Sequence, residues 1–281
     1  MTEPKERMRL DEVGDWSELK LEILKKYAGA YTKILRGNKL HPIYIDGFAG
    51  AGEHISKRTQ KSIAGSPRNA LEIEPPFEEF HFVDLNPKRA TNLQKLAGDK
   101  DNVYVYSGDS NALLISKIFP RIRYKEYKRA LCLLDPYGLH LSWEVLKAAA
   151  ESKTIEIFLN FPVMDMNMNV LWRRPENVTK ENVARMNFSW GDDSWKNAAY
   201  KKQETLFGPE DEKQPNETIA AAFRERLKQV AGFKYVPEPA PMRNSTSAVV
   251  YYLFFAAQQP TAANIVTDIL NNYRKLGKLH G

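Results

Sequence analysis

The chain of 281 residues carries a single cysteine, Cys132. One thiol excludes an intramolecular disulfide and cannot build a zinc site alone, so no metal centre is expected. Cys132 lies in the apolar run Ala130-Leu131-Cys132-Leu133-Leu134, where a buried, inert thiol is expected rather than a nucleophile. No apolar stretch approaches the roughly 20 residues of a membrane span, so no membrane partner is expected. The start, Met1-Thr2-Glu3-Pro4-Lys5-Glu6-Arg7, is charged with no apolar segment behind it, which argues against a secretory leader. These absences fit a cytoplasmic protein. Internal repeats and low-complexity tracts are lacking too. Neither charge sign dominates: 41 Lys and Arg against 35 Asp and Glu leave +6. That excess inclines weakly toward a polyanionic partner. Pairs such as Lys25-Lys26 and Lys201-Lys202 read equally well as solvated surface.

What is present is a change of period. Residues 1–14 are polar and read as an arm. Asp15 can cap a helix starting at Trp16, and Trp16, Leu19, Ile23, Tyr27, Tyr31, Ile34 and Leu35 recur at helical steps until Gly37-Asn38. From residue 43 the pattern becomes strand, turn and helix. Ile43–Ile45, Glu79–Val83, Val103–Tyr106, Ala130–Leu134 and Ile155–Leu159 read as strands, with helices near 67–73, 87–96, 111–118 and 143–150. Such alternation predicts parallel βαβ units in a doubly wound α/β sheet.

After Leu159 the alternation stops. Residues 161–208 are rich in Met, Trp and Asn and read as an insertion or lid, with a helix near Glu181–Met186. A helix over 216–230 follows, with Asn216 as a candidate cap. Phe233–Val236 and Ala248–Phe255 read as two strands joined by a connection too short for a crossover, hence antiparallel. A helix over 261–273 closes the chain. The expected division is an arm and helix (1–42), a core (43–160 and 209–281) and a lid (161–208). Five parallel strands and a terminal antiparallel hairpin predict a Rossmann-like class-I methyltransferase fold.

The chemistry-bearing residues fall at predicted strand ends. Ile43-Tyr44-Ile45-Asp46-Gly47-Phe48-Ala49-Gly50-Ala51-Gly52 runs an apolar strand into an acid and three glycines. Glycines permit a tight turn and let backbone N–H groups approach a ligand. The G-x-G-x-x-G phosphate fingerprint is incomplete, which disfavours a dinucleotide. The turn suits the methionine part of S-adenosylmethionine, with Asp46, Gly47, Phe48, Gly50 and Gly52 as candidate contacts. A glycine-rich loop without a ligand is the plainer alternative. Asp84 ends the second strand, where a carboxylate can accept from a ribose diol. Asp109 follows the third strand and can receive an adenine amino group, with Ser110 capping the next helix; a simple cap by Asp109 is the alternative. Their shared edge is where open α/β sheets bind ligands.

The fourth strand ends Asp135-Pro136-Tyr137-Gly138. The step is similar to the acid–Pro–Pro–aromatic motif of methyltransferases that modify exocyclic amines of bases, although one Pro is present and Gly138 follows the aromatic. Asp135 and the Pro136 carbonyl could orient an acceptor on which Tyr137 stacks. A turn with Asp135 as local acceptor is the alternative. Asn160, at the end of the fifth strand, is a candidate substrate contact or a strand-end partner. Trp172, Arg173 and Arg174 mix aromatic and cationic groups suited to nucleic acid, to a protein groove, or to the packing of the lid itself.

Taken in order, Asp46-Gly47-Phe48-Ala49-Gly50-Ala51-Gly52, Gly65-Ser66-Pro67, Phe82-Val83-Asp84, Leu133-Leu134-Asp135-Pro136-Tyr137-Gly138 and Leu159-Asn160-Phe161 resemble the three-Cys-motif partner proteins. The resemblance spans roughly residues 16–165. It implies a methyltransferase-like fold and a partner protein with a three-cysteine motif of the type found in radical enzymes. Two functions are therefore expected: an S-adenosylmethionine-dependent methyltransferase acting on nucleic acid, or a non-catalytic partner subunit.

Overall fold

The computed structural model describes residues 12–13, 15–56, 61–205 and 208–279. The arm expected over 1–14 lies outside the described residues except for Glu12–Val13, a short strand pairing in parallel with Glu53–Ser56. The helix behind it, α1, runs Asp15–Gly37.

Seven strands form the central sheet: β1 His41–Asp46, β2 Glu79–Asp84, β3 Val103–Ser107, β4 Lys128–Leu134, β5 Ile155–Phe161, β6 Ala240–Arg243 and β7 Val249–Ala256. Their spatial order is β3-β2-β1-β4-β5-β7-β6. β1 to β5 are mutually parallel, and β7 runs antiparallel to both β5 and β6. The chain starts in mid-sheet, winds outward to β3, returns to β4 and continues the other way, which places a switch point between β1 and β4. Five parallel strands with β7 inserted antiparallel before β6 make this a Rossmann-like fold of the class-I methyltransferase type.

Side-chain alternation explains the layering. Ile43, Ile45, Ala130, Cys132 and Leu134 bury on one face, while Tyr44, Leu131 and Leu133 bury on the other. The second face is covered by α1, α2 (Ser66–Leu71), α3 (Pro87–Ala97) and the last helix, α10 (Pro260–Lys275). The first face is covered by α4 (Ser110–Leu113), α5 (Trp143–Ser152), α6 (Val163–Asn169), α7 (Lys180–Trp190), α8 (Trp195–Ala199) and α9 (Asn216–Arg226). Cys132 is fully buried and free, and burial pushes its thiol well up.

The described residues of 161–205 pack as part of that first layer. Met166, Val170, Leu171, Met186, Trp190 and Trp195 are buried in the core that β5 and α9 share, while Met168, Trp172 and Phe188 are exposed. The segment ends in a hairpin, Tyr200–Thr205 against Gly208–Lys213.

Three local expectations fail for identifiable reasons. Phe233–Val236 is not a strand; Phe233 and Val236 anchor a loop in the core, and only Tyr235 bridges to Ala257. The strand is instead Ala240–Arg243, within the expected connection. As an edge strand it tolerates Pro241, which has no N–H to donate. Asn216 does not cap α9 with its side chain, because its Oδ1 accepts from Asn167 Nδ2 at 3.0 Å. Ser110 does not cap α4; Asp109 does.

Candidate functional site

The expected site residues of β1 to β5 meet at one carboxyl edge. Asp46 and Asp84 are the last residues of β1 and β2, Asp109 follows β3, Asp135 follows β4, and Asn160 is the penultimate residue of β5.

At β1 the turn continues the ladder before it breaks away. Gly47 N–H donates to Leu133 O and Ala49 N–H to Val83 O, both at 2.9 Å. Gly50, at φ +66°, turns its N–H onto Asp84 Oδ2 at 3.0 Å. A side chain is strained at that φ, so glycine is what allows the backbone to meet the β2 carboxylate. Asp84 Oδ1 accepts from Asn86 N–H at 2.7 Å. The loop is closed from behind: Gly65 N–H donates to Gly52 O at 2.9 Å, and a Cβ on Gly65 would lie 2.9 Å from the Gly52 carbonyl carbon and oxygen. The Gly65-Ser66-Pro67 step thus locks the Gly-rich turn backbone against backbone, and Pro67 opens α2.

Asp46 is fully buried. Its Oδ1 accepts from Phe48 N–H at 3.2 Å, and its Oδ2 makes no hydrogen bond of ordinary geometry, although the Ser66 and Tyr44 hydroxyls lie near the carboxylate. Burial pushes its pKa up to about 7, against the pull of the Ser66 hydroxyl and the Phe48 amide, while Asp135 adds to the rise. Ser110 is buried and donates its hydroxyl to Gly47 O, tying α4 to the turn. Asp109 accepts from Asn111 N–H at 3.3 Å and Ala112 N–H at 3.2 Å, so it is a helix cap in this structure.

The other half of the edge is built from side chains. Lys20 of α1 is 6 % exposed and ion-pairs with Asp135 Oδ2, and Asn160 Nδ2 donates to Asp135 Oδ1. Asn160 is itself buried, and its Oδ1 has no partner. The Lys20 Nζ also lies 5.7 Å from the ring centre of Tyr251 on β7, whose hydroxyl donates to Trp16 O at 3.2 Å. Burial pushes the Tyr251 phenol well up, and the Asp135 charge adds to the rise. Asp135 keeps a third of its side chain exposed, so this cluster opens to solvent at the carboxylate. Next in chain, Pro136 is buried and Tyr137 is 92 % exposed. Gly138, at φ +67°, lies against the Asp165 carboxylate of α6, which Arg185 of α7 pairs at 3.2 Å.

Trp172, Arg173 and Arg174 are exposed on the turn after α6, and Trp172 Nε1 donates to Met168 O at 2.9 Å. The structure does not bring them into hydrogen bonds or ion pairs with Asp135 or Asn160. A small cavity is lined by Pro136, Asn160, Phe161, Met186, Ser189 and Trp190.

Sequence reasoning missed Lys20, Tyr44, Ser66 and Tyr251. Tyr44 is buried on the Asp46 side of β1, its hydroxyl pushed well up by burial and by Asp46. The signal for Lys20 existed: it interrupts the apolar face between Trp16, Leu19 and Ile23, where a long cation has no reason to be unless something receives it.

No family model matches the chain, and no curated protein does. Solved structures resemble it at the level of fold. LPL1258 from Legionella pneumophila is 12% identical, with 90% of this chain and 92% of that chain covered at a TM-score of 0.47. An S-adenosylmethionine-dependent methyltransferase from Clostridium acetobutylicum is also 12% identical, with 83% and 91% covered at 0.39. TYW2 of M. jannaschii, solved in complex with AdoMet, is 10% identical, with 86% and 75% covered at 0.35. At such distances the likeness carries no argument about chemistry, and the fold assignment rests on strand order. The resemblance to the three-Cys-motif partner proteins rests on the motifs alone. Among the described residues, no helix is long and apolar enough to cross a membrane.

Proposed function

We propose that the chain is an S-adenosylmethionine-dependent methyltransferase acting on nucleic acid. The observation that carries this reading is the joint between Gly50 N–H and Asp84 Oδ2, beside the unpartnered Oδ2 of buried Asp46. A buried acceptor without a partner is costly. A ligand with a cationic amino-acid end satisfies it and favours the ionised form of a group whose pKa stands at about 7.

The donor set fits the cofactor. Asp46 and the turn Gly47, Phe48, Gly50 and Gly52 would hold its methionine end. Asp84 uses one site on each oxygen for backbone amides, which leaves lone pairs for a ribose diol. Asp109 caps α4 and retains lone pairs toward an adenine amino group, and Ser110 fixes the floor between them. When bound, the cofactor supplies a methyl group on a sulfonium. The residues at Asp135, Pro136 and Tyr137 then position the acceptor, with catalysis mainly by orientation.

Exposed Tyr137, exposed Trp172, Arg173 and Arg174, and the +6 charge support nucleic acid as the acceptor. Titration with S-adenosylmethionine and tritiated methyl transfer to bulk RNA and DNA test the reading. Micromolar binding with label in nucleic acid is expected. Absence of binding refutes the assignment. Binding without transfer, with co-purification of a cysteine-rich partner, favours the non-catalytic subunit instead.

A further inference from the structure

The electrostatics around Asp135 select the acceptor atom. Both of its oxygens are held by side-chain donors, Lys20 Nζ and Asn160 Nδ2. An incoming acceptor group therefore meets a cation and an amide beside the carboxylate. Among the side chains of this cluster, the buried acceptor left without a partner is Asn160 Oδ1.

An exocyclic amine suits this wall badly. Its nitrogen gains positive charge as it is methylated, beside the Lys20 ammonium. A hydroxyl suits it well. It has one proton to give to Asn160 Oδ1 and lone pairs to receive a Lys20 N–H. As the proton leaves, negative charge grows on the oxygen, where a buried cation stabilises it.

We propose that the acceptor is a hydroxyl, the ribose 2′-hydroxyl of RNA, and that Lys20 is the catalytic residue that stabilises its oxygen; this rests on the methyltransferase reading above. An O–CH3 bond forms as the S–CH3 bond breaks, the bonding pair stays on sulfur as a neutral thioether, and the hydroxyl proton passes to solvent water. RNA is the source of hydroxyl that the surroundings favour. Tyr137 projects 92 % exposed directly after Asp135-Pro136, a platform for the base attached to that ribose. The 2′-hydroxyl is also what separates RNA from DNA at a contact.

The test uses the intact chain, deuterated-methyl S-adenosylmethionine, total cellular RNA, unmodified transcripts and DNA, with nucleoside mass spectrometry. Heavy 2′-O-methyl nucleosides are expected, with none in DNA. Heavy methyl on a base or in DNA, or no transfer although calorimetry shows the cofactor bound, overturns the hydroxyl assignment; the first two leave the methyltransferase reading intact. Absence of cofactor binding defeats that reading itself. Lys20→Met is expected to lower transfer at least about a hundredfold while cofactor affinity stays within about threefold. Fluorescence anisotropy adds a readout without the cofactor: a ribo-oligonucleotide should bind about tenfold tighter than its deoxy counterpart, and Lys20→Met should erase the difference. Equal binding of both by the wild-type chain contradicts the proposal. Should Lys20→Met fail to fold, product identity and the wild-type binding comparison still decide.

Discussion

The two halves of the sheet edge are held by different means. At β1, β2 and β3 each carboxylate is fixed by backbone amides: Asp46 by Phe48, Asp84 by Gly50 and Asn86, Asp109 by Asn111 and Ala112. At β4, β5 and β7 the polar groups hold each other, with Lys20 reaching Asp135 across 115 positions and Asn160 across 25. The first half is a fixed cradle whose geometry follows from turn and cap conformations. The second half is a balance of buried charge, whose state depends on what enters it. A preformed cradle suits a constant ligand, and a charge-balanced wall suits discrimination between acceptors.

The strongest way to break this comparison is to remove the one carboxylate that joins turn to strand. Asp84→Ala should lower S-adenosylmethionine affinity about a hundredfold by calorimetry, since it loses charge-assisted bonds to both ligand and loop. An unchanged affinity would detach the ribose from Asp84. Next is the backing of the cradle. Gly65→Ala places a Cβ 2.9 Å from Gly52 backbone atoms and should destabilise the fold by about 2 kcal/mol in denaturant melts.

Acidity sharpens the contrast further. The Asp46 pKa is raised from 3.8 to about 7 by burial, so the folded state holds a proton that the unfolded state releases. That contribution to stability is complete below about pH 4 and is lost as pH rises through about 7. Asp46→Asn should therefore raise stability at pH 8 by on the order of 1 to 2 kcal/mol and change little at pH 4. Glu156, partly exposed, is also raised to about 7 by burial and acts in the same direction, so a residual slope remains until Glu156→Gln is added. Thermal melts across pH read both. Smaller still, Asp109→Ala should cost about 1 kcal/mol as a lost cap. A fall in cofactor affinity alongside it would add the adenine contact to the cap. Asn216→Ala, which breaks a half-buried amide pair but no cap, should shift stability by less than about 1 kcal/mol.

What the chain reveals before folding divides along the same line. The β1–β5 alternation, the Gly-rich turn and the acids at strand ends are local patterns, set by period and turn chemistry, and they were readable. So was the terminal antiparallel pair, although its first strand was displaced: Phe233–Val236 had the apolar content, and Ala240–Arg243 had the open edge position. Caps were legible as residue types but not as individuals, because Ser110 and Asn216 each found a tertiary partner instead. Lys20 was legible as a cation on an apolar helix face, but its partner was not, because nothing local connects it to Asp135. The aromatic and Met-rich stretch after Phe161 was ambiguous for another reason. Core and surface residues alternate within it, so Trp190 and Trp195 are buried while Trp172 and Phe188 are exposed.

A crystal structure of the chain with S-adenosylmethionine tests the central claim most directly. The account predicts the ribose hydroxyls within hydrogen-bond distance of Asp84, the methionine end over the turn from Gly47 to Gly52 with Asp46 beneath it, and the methyl group facing Asp135 and Lys20. A cofactor seated away from Asp84, or with its methyl directed away from Asp135, would contradict it.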